Sequence, residues 1–514
     1  MALILTAMMA LSLVACVSPE KAETTGDNST AATRDSVTCA TNMVISQINP
    51  WDKSSLQNNY VRVQMYESFY YYNNKTGEYE PRVASDYDIS ADGLTYTFHL
   101  RKDAKFHNGD PVLASDAVWS IEQAMKEPSM KSYTSAIDSY AVVDDHTVSI
   151  TTKEINAPFM MNLTWVFIVS QKACEAAGEE LGHSAVLCGT GPYYVADYNP
   201  DVSVVMKAFP DYYRGEASIK TLTFKPIVDS STGLIAFENG EIDFCSVPTS
   251  DWKEISSSGK YNTELVAANH IAYFGINYTG VLENPLVREA IAHCIDKPSL
   301  IAGAYDGLAA EASCMVNNSY VLGAPKECLT YDYNIEKAKE LLTQAGYPNG
   351  VDVGSILCPA GGYFEKMSLI LQSNLKEAGI TCTVNGMEQA AALAQMSKGD
   401  FDLLCCGYTG EYDYDFWKIM THSSGIETSY IKYKNAPAAA GIPYAKIDEL
   451  YDKGARDLDL SKRQAIYKEL DDLLMSTCTY LPVFYKQVPY AWNKDLKAST
   501  NSNVYIVYDW SWAN

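Results

Sequence analysis

From about residue 285 onward, stretches of strand character alternate with stretches of helical periodicity, and this alternation restricts the fold more than any other feature. Helices are expected at 286–295, 334–346, 365–378, 388–397 and 461–476, with strands at 380–385 and 401–404 between them. The segment 334–346 shows the basis. Ile335, Ala338, Leu341, Leu342 and Ala345 fall on one helix face, and Gly346 stands where a C-cap is wanted. Strand and helix in alternation imply mixed α/β layers. A chain of 514 residues exceeds what one hydrophobic core serves, so two or three domains are expected.

The first half reads differently. A strand is expected at Met43-Val44-Ile45-Ser46, and a helix around Val61–Phe69. Asn73 to Glu78 carry turn chemistry. Residues 94–100 alternate like a strand, and 140–152 read as a hairpin turning at Asp144-Asp145. Asp116 is placed as the cap of a helix from Ala117 to about Lys126. Residues 192–226 read as several strands, 230–239 as a helix and Ile242-Asp243-Phe244 as a short strand.

The extreme N-terminus reads as an address. Residues 1–15 are apolar and uncharged but shorter than the roughly 20 residues a membrane span needs, so they suit the apolar core of a secretory signal. No Lys or Arg precedes them; the positive charge would come from the α-amino group or from sequence upstream of Met1. The run closes in Leu13-Val14-Ala15-Cys16, which resembles a bacterial lipoprotein cleavage box; that resemblance makes Cys16 the lipidated residue. Residues 17–36 have little to bury and read as a flexible tether.

Asp and Glu outnumber Lys and Arg by 63 to 39, a formal charge of -24. Such a body is repelled by phosphate backbones, which argues against nucleic acid as a partner. Export permits disulfides, and Cys174 with Cys188 and Cys314 with Cys328 are near enough in sequence to be the best candidates. His is sparse at seven and no C-x-x-C occurs, so neither a zinc site nor a cofactor is expected.

Residues 76–119, TGEYEPRVASDYDISADGLTYTFHLRKDAKFHNGDPVLASDAVW, join turn motifs to strand alternation. Asp92-Gly93 and Gly109-Asp110-Pro111 are turns, and Ala114-Ser115-Asp116 leads into a helix. This block resembles the signature of the family 5 extracellular solute-binding proteins, the peptide- and nickel-binding proteins of ABC importers. Gly189-Thr190-Gly191-Pro192-Tyr193, Pro210-Asp211-Tyr212-Tyr213, Gly240-Glu241-Ile242-Asp243, Val287-Arg288-Glu289-Ala290-Ile291 and Tyr333-Asn334 follow in the family's order. These motifs specify a fold and leave the ligand open.

The resemblance implies an α/β, two-lobed periplasmic-binding-protein-like fold (type II, cluster C) with an extra domain inserted in lobe one. Carried over, lobe one holds 37–275 with 483–514, and lobe two holds 276–482. Residues 273–277 and 481–485 are the expected crossing strands, and ligand would bind between the lobes as they close. In peptide-binding members a carboxylate three positions after an aromatic receives the ligand ammonium. The matching stretch here is Tyr408-Thr409-Gly410-Glu411, with Glu in place of Asp. Glu411 is thus either the ammonium anchor or an exposed loop acid, and Asp413 and Asp415 are nearby substitutes. The loop Pro359–Tyr363 lacks the Arg with which dipeptide-binding members hold the ligand carboxylate. Lobe-one contacts are expected from Asn49, Trp51 and Tyr70, with the alternative that the tyrosines at 70–72 are core.

No P-loop, nucleophile elbow or H-E-x-x-H motif occurs, and His99, His107 and His293 sit in structural settings, so an enzyme is not expected. The resemblance implies a monomeric, lipid-anchored protein of the cell envelope, on the extracellular face of the cytoplasmic membrane or in the periplasm. It would deliver peptides to permease and ATPase subunits. The alternatives are a metal chelate or oligosaccharide as solute, or a peptide-sensing surface receptor.

Overall fold

A computed structural model describes residues 34–53, 58–423, 431, 437–500 and 505–513. The expected signal run, Cys16 and the tether as far as residue 33 lie outside the described residues. No helix among those described is long and apolar enough to cross a membrane.

One mixed sheet of eleven strands runs through the body. Its order is Ile380–Met387, Val351–Pro359, Leu403–Thr409, Asn262–Ile276, Tyr480–Trp492, Phe244–Ser246, Ser36–Thr41, Thr221–Pro226, Ser203–Ala208 and Tyr193–Asn199, with Ala309–Glu311 paired to Tyr480–Trp492 off that path. The two long central strands pair antiparallel and link the halves, extending the expected crossing strands well beyond 273–277 and 481–485. One core lies on the near side, built from Val37, Val61, Phe98, Ile121, Leu222 and Trp510 among others. Beyond the crossing strands two more cores form, one around Leu300, Leu371 and Val483, the other around Leu404, Tyr451 and Leu474.

The first strand is Ser36–Thr41, not Met43–Ser46. Val37, Cys39 and Thr41 alternate into the core and pair parallel with Thr221–Pro226, whereas 43–46 has no strand partner. Ser36, the last residue of the expected tether, is thus already part of the sheet. The helix expected over Val61–Phe69 is Asn59–Met65; beyond it Tyr70–Asn73 turns into a hairpin with Glu78–Pro81. Ile242-Asp243-Phe244 shifts to Phe244–Ser246, where a neighbouring strand is available on each side.

The signature block builds a separate antiparallel sheet, ordered Ala84–Ile89, Thr95–Leu100, Thr147–Thr152 and Ile137–Asp144. Helix Ala114–Lys126 starts three residues earlier than expected, because Asp116 acts from inside its first turn: its carboxylate accepts the Leu113 N–H at 3.2 Å. Gly93 turns the chain at φ +75°, where a side chain would be strained. Gly191 is needed for a different reason: a Cβ there would run into the Gln64 and Met65 backbone.

Cys314 and Cys328 form a disulfide, as expected. Cys174 and Cys188 do not; both are buried free thiols, and Cys188 donates weakly to the Tyr66 hydroxyl at 3.9 Å.

Candidate functional site

The crossing strands lose their register at one point. Ala267 stands opposite Gln487 and Ile271 opposite Tyr485, so Ala268, Asn269 and His270 share the place facing Lys486. Such bulges re-aim side chains. Here Asn269, His270 and Lys486 all line a cavity of about 420 Å³ between the halves. Tyr60, Thr249, Tyr490 and Tyr505 line it from the near side, and Tyr305, Thr409, Gly410, Glu411 and Tyr412 from the far side.

The strand Leu403–Thr409 delivers the loop that carries Glu411. Asn269 clamps that loop, its Nδ2 donating to the Gly410 and Glu411 carbonyls at 2.8 Å each. His270 braces the strand end through Thr409 Oγ1 at 2.9 Å and Tyr363 OH at 3.0 Å. Burial, with a smaller contribution from Lys486, pushes its pKa down to about 3, so the ring is neutral at ordinary pH.

Glu411 is no exposed loop acid. Its Oε1 accepts from Lys53 Nζ at 2.9 Å and Tyr133 OH at 2.5 Å, and its Oε2 from Trp165 Nε1 at 2.9 Å. The Lys53 and Glu411 side chains are only 5% and 10% exposed. The same ammonium lies 3.1 Å from the Trp165 ring centroid and 4.7 Å from that of Tyr133. Burial lowers the Lys53 pKa to about 8, the Glu411 charge opposing that shift. Three side chains of the near half thus converge on one carboxylate of the far half. The place the sequence reading reserves for a ligand ammonium is held by the chain's own Lys53.

The substitutes serve other ends. Asp413 makes a two-pronged pair with Arg463, at 3.0 and 2.7 Å, and also accepts the Asp415 N–H. That pair is 3% and 5% exposed and ties the loop to helix Leu460–Ser476. Asp415 accepts from Tyr467 OH at 3.4 Å, and burial raises its pKa to about 6. Tyr408 packs on Phe416 and Trp417, lining a smaller neighbouring hollow with Gly410 and Glu411.

The expected lobe-one residues do not reach the cavity. Tyr70 is core, edge-on to Tyr87 at 5.2 Å, because its strand faces the inserted sheet. Trp51 is buried edge-on against Trp119, and Asn49 is spent accepting the Trp51 N–H in a turn. Tyr72 is buried too, and together with Tyr71 it lines a second cavity of about 110 Å³ that also takes in Glu67, Arg82, Tyr212 and Tyr508. That chamber shares Trp165 and Tyr412 with the larger cavity. Lys53, Tyr133, Trp165, His270 and Lys486 carry no motif. The usable signal was position: Lys53 follows the Asn49–Trp51 loop by two residues, and His270 and Lys486 adjoin the expected crossing strands.

Among the described residues one cluster of potential metal ligands converges, Cys314, Cys328 and Asp471, and the disulfide consumes its two sulfurs.

A model of the bacterial extracellular solute-binding proteins, family 5, matches residues 78–428. The glutathione-binding protein GsiB of Pectobacterium atrosepticum is 27% identical over 468 residues, 88% of this chain and 88% of that protein. The ABC transporter-associated periplasmic binding protein DppA of Helicobacter pylori, in complex with the peptide STSA, superposes with a TM-score of 0.78 at 23% identity, covering 94% of this chain and 99% of that one. NikA of Brucella suis, in complex with Fe(III)-EDTA, gives 0.82 at 23% identity, covering 93% and 99%. These structural likenesses establish a two-lobed fold.

Proposed function

The chain belongs to the bacterial extracellular solute-binding proteins, family 5, and on that premise we propose that it captures short peptides in the cavity between its halves. It is the substrate-binding component of an ABC importer, working with permease and ATPase subunits, and it is not an enzyme. The observation that carries the peptide reading is the cavity at the strand bulge. Its volume of about 420 Å³ suits a small solute rather than a long chain. It sets amide, hydroxyl and aromatic groups from both halves around one space, which matches the mixed polar and apolar character of a peptide. The neighbouring chamber, rich in aromatic rings, would receive an apolar side chain. GsiB and DppA, whose names and complex refer to glutathione and a peptide, support this solute class.

In this reading lobe one is 37–275 with 483–514, and lobe two is 276–482. Thr409, Gly410 and Glu411 border the bound solute, Tyr408 backs them, and closure brings Glu411 against Lys53. Asp413 and Asp415 shape the loop from behind. The protein acts as a monomer held at the membrane through Cys16. Replacing Cys16 with Ala should release it from the membrane fraction of the native cell; retention after that change would remove the lipid anchor.

A thermal-shift screen of the soluble body against di- to octapeptides, glutathione, metal chelates and oligosaccharides tests the solute. Ligand at 100 times its Kd stabilises by about 2.7 kcal/mol, a readable shift. A shift with chelates or sugars and none with peptides would overturn the peptide reading and leave the family standing.

A further inference from the structure

We propose that Lys486 is the anion anchor of this cavity and that the solute presents a free carboxylate to it. The inference rests on the peptide reading and specifies which end of the peptide is held. One lysine and one carboxylic acid line the cavity, Lys486 and Glu411. The Glu411 charge is met at 2.9 Å by Lys53, which comes from outside the cavity wall. His270, the third titratable neighbour, is neutral there. Lys486 is left as the one lining charge that no carboxylate among the described residues answers.

Its surroundings sharpen the point. Lys486 sits partly buried in the middle of a crossing strand, opposite the bulge, with Ala309 as its backbone neighbour. The Tyr305 and Tyr363 ring centroids lie 5.9 and 6.0 Å from its Nζ, near the limit of cation–π attraction and a weak substitute for an ion pair. Burial lowers its pKa, and no acid offsets that cost. An uncompensated ammonium in a low-dielectric cleft is paired by whatever anion enters. The Ser246 hydroxyl lines the same space and can satisfy the second carboxylate oxygen. The ammonium end of a peptide finds no free acid in this cavity, so recognition is weighted toward the carboxylate end.

Titration calorimetry with the soluble body tests this, using trialanine as the free acid, as the C-terminal amide and as the N-acetyl derivative. In the unmodified protein amidation should weaken binding tenfold or more, and N-acetylation should weaken it less than threefold. In Lys486→Gln the acid and the amide should bind within threefold of each other. The melting temperature of Lys486→Gln should match or exceed that of the unmodified protein, since a buried unpaired charge is removed. Equal binding of acid and amide by the unmodified protein would overturn the anchor while leaving peptide capture intact. So would the same amide penalty in both proteins. Failure of every peptide form to bind would overturn the peptide reading, and this inference with it.

Discussion

Asp471 shows how a single buried acid sets a pH dependence. It sits in helix Leu460–Ser476, accepting from Tyr414 OH at 2.6 Å and the Met315 N–H at 3.3 Å. Burial nevertheless raises its pKa from 3.8 to about 7, outweighing those hydrogen bonds. Between these two values the folded chain holds a proton that the unfolded chain has released. Stability therefore falls as pH rises through that window. Asp415, raised to about 6, acts in the same direction. Asp471→Asn should gain stability relative to the parent as pH rises from about 4 to about 7, by at most about 1.4 kcal/mol per unit. Urea unfolding at both ends of the window measures it, and a difference independent of pH would absolve this carboxyl. None of this was legible in the sequence, where Asp471 is one acid among 63. Glu411 was legible as a residue, since three positions separate it from Tyr408; its partner was not, because Lys53 is 358 residues away.

At the scale of elements, periodicity served where a segment meets its neighbours through one repeating face. The helices expected at 334–346, 365–378 and 461–476 appear as Ile335–Gln344, Tyr363–Glu377 and Leu460–Ser476. Among the helices that went unread are Lys297–Tyr305 and Tyr444–Ala455. In the first the apolar residues are spread around the axis with a Pro and a Gly among them, so no single face stands out. Met43–Ser46 failed for the opposite reason: four residues of β propensity have no edge to pair with, while Ser36–Thr41 has one on each side. The bulge at 268–270 is an event between two strands and has no local signature. Yet it decides which side chains of Asn262–Ile276 and Tyr480–Trp492 enter the cavity.

For the whole molecule, the Lys53–Glu411 contact joins the two halves across the cavity, with Tyr133 and Trp165 on the same side as Lys53. Contacts present only when the halves meet are what bias a hinge toward closure. Lys53→Met would leave the Glu411 charge buried with two neutral donors and no cation. Breaking a buried pair in this way costs about 3–5 kcal/mol. Denaturant unfolding should show that loss, and solution scattering should show a larger radius of gyration from halves that part. A change below about 1 kcal/mol, the worth of an exposed pair, would mean that solvent already screens the contact.

The amino-acid sequence alone determined the family and, through that resemblance, the two-lobed class; turns, caps and apolar periodicity, being local properties, determined the α/β element types and their order. It also determined which loop borders the cavity. Tertiary structure alone decided how the charges are spent: Lys53 on Glu411, Arg463 on Asp413, and Lys486 on no carboxylate of the described chain. Ion pairing and desolvation depend on distance in space, and residues far apart in the chain acquire that distance only when the halves pack.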